Sequence, residues 1–178
     1  MALWKNGSFV ADRFRHVADD DVIGTDEAVI VSLERFRAER EALLARPAPL
    51  GLRIEPGSDW GGIVQDLPRL AVIAASLPKF ADGRAFSIGR LLRERDGFAG
   101  ELRAVGAFFL DQIPLLKRVG FDAFETEDPL VLKGLQEGRW PEVKEYLQPV
   151  GGAGEIPAGT RPFARRPAGA TGEQRNQE

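Results

Sequence analysis

The run KFADGRAFS places Lys79, Asp82, Arg84 and Ser87 within nine residues, directly after a strongly apolar stretch. An arginine offers a planar fork of N–H donors that matches a carboxylate, sulfate or phosphate, and Lys79 adds a point charge beside it. A helix that starts after the run would favour the same anions at its N-terminus. Arg90 follows on that helix, and Asp111 and Gln112 open a later segment of the same kind. These seven residues form the candidate binding set, and no catalytic residue is assigned. Each also has a structural role open to it. Ser87 and Asp111 can serve as helix N-caps, worth about 1 kcal/mol each, and Asp82-Gly83 is a common turn pair. Arg84 can pair with Asp82 or Asp111 to tie adjacent loops together, and Arg90 can lie on a solvated face.

The elements that position these residues follow from hydrophobic periodicity. Asn6-Gly7 within LWKNGSFVADRF predicts a β-hairpin, because a type I′ turn needs positive φ at both central residues. HVADDDVIGTDE reads as a polar loop, its three successive aspartates a solvated surface. AVIVSL, LGLRIE, RLAVIAA, ELRAVG and DAFET read as five strands, and the segments between them as helices. Among the helices, ERFRAEREALLAR places Leu33, Phe36, Leu43 and Leu44 on one face. Asp128-Pro129 pairs an N-cap acid with a first-turn proline. RWPEVKEYL reads as a last helical turn.

Alternating strands and helices imply right-handed crossovers and a parallel sheet. The expected fold is therefore α/β: an open, mainly parallel sheet of about five strands with helices on both faces and an N-terminal hairpin. In such sheets ligands gather at the carboxyl ends of the strands, which is where the candidate residues fall. Residues 1–150 read as one domain. The stretch 151–178, rich in Gly, Pro and Ala, reads as a disordered tail.

Composition narrows the chemistry. The chain of 178 residues has no cysteine and a single histidine, His16. Disulfides, thiol redox couples and iron–sulfur clusters cannot be built from it, and the common zinc sites need more His or Cys ligands. No metal and no cofactor is expected. With 43% hydrophobic residues and a net charge of -3, nothing argues for binding nucleic acid or a membrane surface through a basic field. The absence of a spanning segment or secretory leader makes the cytoplasm the expected location. Dinucleotide, P-loop and nucleophile-elbow fingerprints are absent.

From Pro78 onward the chain carries Pro78-Lys79-Phe80, Asp82-Gly83-Arg84, Ser87, Arg90 to Arg93, Gly100 to Gly106, Asp111-Gln112 and Gly120 to Glu125. This pattern resembles a bacterial family of uncharacterised domains encoded beside assimilatory sulfite reductase and adenylyl- or phosphoadenylyl-sulfate reductase. Its members are often labelled oxidoreductases of sulfite reduction. The chain departs from the pattern at Leu77, Ala85-Phe86, Ala107 and Val119, where Phe, Gly-aromatic, Asp and Cys are usual. The resemblance implies an accessory protein that supports the sulfite reductase step, with sulfite reductase or (phospho)adenylyl-sulfate reductase as partner. The residues alone leave a second reading open, a small-molecule enzyme binding an anion or nucleotide, such as an oxidoreductase, at the strand carboxyl edge.

Overall fold

The computed structural model describes residues 1–79, 81–139 and 141. The chain divides into two compact units, Met1–Trp140 and Pro141–Glu178. The expected domain end at 150, the tail 151–178 and most of the final helical turn fall outside the described residues.

The first unit is built on one eight-stranded sheet. Its strands are β1 (Ala2–Lys5), β2 (Ser8–Val10), β3 (Arg15–His16), β4 (Val29–Ser32), β5 (Leu50–Ile54), β6 (Leu70–Leu77), β7 (Glu101–Gly106) and β8 (Ala123–Thr126). The order across the sheet is β2-β1-β8-β7-β6-β5-β4-β3. From β3 to β8 every pairing is parallel, and the hairpin β1–β2 joins β8 antiparallel. All five expected strands are present, and β6 and β7 are parallel neighbours as their helical crossover requires. Asn6 and Gly7 have φ of 53° and 84°, so the hairpin turn is the expected one.

Two expectations are corrected. The sheet has eight strands of mixed direction, not about five. Among the described residues its helices also share one face. β3 to β8 lie side by side in chain order, so successive right-handed crossovers progress the same way and return over the same side. The main core accordingly joins Val29, Val31, Leu52, Ile73, Leu102 and Phe124 to helix residues such as Phe36, Ile88, Leu92 and Leu116. The opposite face carries a small apolar cluster of Phe14, Ile30, Val72, Ala74 and Val105, to which no helix contributes.

The helices are α1 (Leu33–Ala38), α2 (Arg40–Leu44), α3 (Arg84–Arg90), α4 (Ile113–Arg118) and α5 (Pro129–Gln136), with a π-helical turn at Leu91–Arg95 and 3₁₀ turns at Gly61–Arg69 and Leu110–Gln112. Asp128 caps α5 as its sequence predicts, accepting from the N–H of Leu130 at 2.8 Å and Val131 at 3.2 Å. The segment read as one helix after β4 breaks at Glu39 into α1 and α2. Among the described residues no helix is long and apolar enough to cross a membrane.

The sheet is strongly curled. In a flat sheet β3 and β8 would lie five strand spacings apart, about 24 Å at ~4.8 Å each. Yet His16 Nε2 of β3 lies 3.0 Å from Glu125 Oε2 of β8. The face to which no helix of the described residues contributes is therefore concave, and side chains from its two sides meet across it.

Candidate functional site

At the carboxyl edge the loop after β6 folds back on itself. Asp82 N–H donates to the carbonyl of Lys79 at 3.0 Å. Asp82 Oδ1 accepts from Arg84 N at 3.2 Å and Nε at 2.9 Å, while Oδ2 accepts from Arg84 Nη2 at 2.6 Å. These side-chain bonds, reinforced by Lys79, hold the Asp82 carboxyl down at about 2. Arg84 Nη1 takes no hydrogen bond among the described residues, and it lies over Gly57, 2.9 Å from where a Cβ would sit. Lys79, Asp82 and Arg84 thus form one group.

The other predicted residues stand apart from it. Asp82 already satisfies the Arg84 N–H, so α3 begins at Arg84 with Gly83 before it. Ser87 is consequently an exposed residue inside the helix, not its N-cap. Arg90 is spent on Glu94 one turn on, at 2.8 Å. Asp111 is exposed in the 3₁₀ turn, and no ion pair joins it to Arg84 among the described residues. Gln112 is buried and caps that turn, its Oε1 accepting from Phe109 N at 3.0 Å. The carboxyl edge also holds Ser32, which caps α1 by accepting from Arg35 N and donates to Asp19 at 2.6 Å.

A second constellation fills the concave face, and the sequence reading missed it. Arg103 of β7 is 1% exposed. Its Nε donates to Glu101 Oε1 at 2.9 Å, its Nη1 to Glu125 Oε2 at 2.8 Å and Asp12 Oδ2 at 2.5 Å, and its Nη2 to Asp12 Oδ1 at 3.2 Å. Lys5 Nζ meets Glu101 Oε2 at 2.7 Å, and His16 shares Glu125. Burial alone would lower the arginine's pKa, but bonds to the three carboxylates outweigh it and raise it. Burial pushes Glu125 up, yet His16 and Arg103 hold it below its ordinary 4.5. Nearby, burial raises Asp122 despite Arg93 at 2.9 Å.

The cluster had a legible signal: Glu101 and Arg103 alternate with Leu102 and Ala104 in ELRAVG, marking one polar and one apolar face. Chemically it can clasp two sides of the curled sheet, and Glu125 orients the imidazole of His16. It offers little to a ligand through Arg103, whose three nitrogens are all spent on carboxylate oxygens. Among the described residues no group of three or more His, Asp or Glu side chains is placed to hold a metal ion.

The model of the bacterial family of unknown function DUF934 matches residues 51–150. The chain belongs to this family. Among curated proteins none matches it. The part of the chain matched to DUF934 runs from β5 through α5 and holds all seven predicted residues together with Glu101, Arg103 and Glu125. Lys5, Asp12 and His16, which complete the clasp, precede the matched DUF934 segment.

Glu125 gives the cluster a pH signature. Its carboxyl is depressed in the folded state, so its contribution is complete above the unfolded value near 4.5 and is lost as pH falls through the lower folded value. The melting-temperature gap between the wild type and Glu125→Gln should therefore be constant above about pH 5.5 and narrow below about pH 4. A gap that widens on acidification would show that the His16 and Arg103 contacts do not stabilise the anion.

Proposed function

We propose that this protein is a cytoplasmic accessory factor of assimilatory sulfate and sulfite reduction, supporting the sulfite reductase step by binding a reductase. The observation that carries the reading is how the polar side chains are spent. Arg84 is forked onto Asp82, Arg90 donates to Glu94 through Nε, and Arg103 is bonded to three carboxylates. Charged groups committed to one another build rigid surfaces rather than poised acids and bases. The resemblance of residues 78–125 to a family encoded beside sulfite reductase supplies the pathway. With no cysteine in the chain, electrons cannot pass through thiols of its own, which favours acting on a reductase over acting as one.

A second reading draws on Arg84 Nη1, which Asp82 leaves unbonded at the rim beside Lys79. That arginine could receive an anion or nucleotide in a small-molecule enzyme, with Asp82 orienting the fork. Two measurements separate the readings. The accessory reading expects a sulfite reductase subunit to copurify with the tagged chain and to stay with it when Arg84 becomes lysine. The enzyme reading expects a thermal shift with a nucleotide or oxyanion that both Arg84→Ala and Arg84→Lys abolish. Loss of the reductase from the purified chain, together with such a shift, would overturn the accessory reading.

A further inference from the structure

The two edges of the sheet are built differently. β3 has two residues, both charged or polar and tied down: Arg15 pairs with Glu27 and Asp21, and His16 with Glu125. Short length and committed charge are the devices by which edge strands avoid pairing. β2 is also short, at three residues, but it carries no charge of its own. It reads Ser8-Phe9-Val10, all exposed, with no charge, proline or bulge.

The turn fixes which backbone groups this edge presents. Lys5 and Ser8 flank the two-residue Asn6-Gly7 loop and so form a hydrogen-bonded pair, which makes Trp4–Phe9 the next, non-hydrogen-bonded pair. The N–H and C=O of Phe9 therefore point away from β1, toward the free edge. The Phe9 side chain lies on the helix side, as does its neighbour Trp4, which packs on Phe124 at 5.8 Å. There Phe9 borders a groove of about 400 Å³ with Ala2, Pro129, Leu132, Lys133 and Gln136. Seven large apolar side chains are exposed among the described residues. Four of them, Met1, Phe9, Val10 and Leu130, belong to the hairpin and the start of α5. The side chain of Lys133, on the rim of the groove, has no hydrogen bond or ion pair among the described residues.

We propose that β2 receives an extended segment of a partner protein as an added strand, placing an apolar side chain in the groove and an acidic one against Lys133. Main-chain bonds to Phe9 supply the pairing, and the groove and lysine select the sequence. A second copy of the chain fits less well. Pairing β2 with itself about Phe9 would bring the two copies of Lys133, which lines the same groove, toward one axis as like charges. The inference rests on the accessory reading only in taking a protein as the occupant.

Synthetic peptides test it without reference to any reductase, so copurification can fail or succeed independently. Fluorescence polarisation of the full chain would use a labelled peptide repeating Val-Thr-Glu-Thr, which sets valine and glutamate on one face of a strand, and a second repeating Val-Thr-Lys-Thr. Saturable binding of the glutamate peptide is expected, about tenfold tighter than the lysine peptide. Phe9→Lys should abolish it while leaving the melting temperature unchanged, and Lys133→Glu should invert the preference. No saturation up to about 1 mM, or equal affinity for both peptides without inversion, overturns the proposal. A dimer seen by sedimentation equilibrium and lost in Phe9→Lys overturns it in favour of a second copy.

Discussion

Replacing Arg103 with alanine should lower stability by about 3–5 kcal/mol, the cost of removing one partner from a buried ionic cluster. At a few degrees per kcal/mol for a domain of this size, the melting temperature falls by roughly 10–20 °C. The reason lies in what remains. Asp12, Glu101 and Glu125 would face one another across the concave surface, with Lys5 left beside Glu101 and His16 beside Glu125. Truncation also opens a void beside Phe14, whose ring centroid lies 6.0 Å from the guanidinium. The companion variant is Arg103→Met combined with Glu125→Leu. Replacing buried ions by apolar groups of similar volume is often neutral, so the double variant should recover part of the loss despite carrying more changes. Thermal unfolding of the three proteins at pH 7 decides the matter. An Arg103→Ala protein within about 2 °C of the wild type would mean that the cluster does not hold the curled sheet together.

That dependence was hard to see in the sequence, for a physical reason. Hydrophobic periodicity reports which face of a strand is buried, and it located β4 to β8 well: RLAVIAA is apolar almost throughout, and AVIVSL likewise. Periodicity says nothing about the order of strands, and order decides whether helices cover one face or two. β3 was illegible for another reason. Arg15-His16 has no apolar signal, and this two-residue strand owes its place to pairing with Val29 and Ile30 and to the reach of His16 toward Glu125.

The candidate site was legible in part. Asp82 and Arg84 do meet, as their spacing allows, but in the mutual pair that was the structural alternative. Ser87 was misplaced because two residues competed to start α3, and Asp82 satisfies the Arg84 N–H three positions earlier. Asp111 and Gln112 complete the 3₁₀ turn before α4 rather than joining the arginine. The sequence resemblance, by contrast, was carried by long motifs, and membership of DUF934 rests on a match across 51–150.

The central proposal is that this protein acts at the sulfite reductase step, and growth tests it most directly. A strain lacking the chain should fail on sulfate and on sulfite as sole sulfur source and grow normally on sulfide, and the full chain supplied in trans should restore growth on all three. Normal growth of the deletion strain on sulfite would contradict the account.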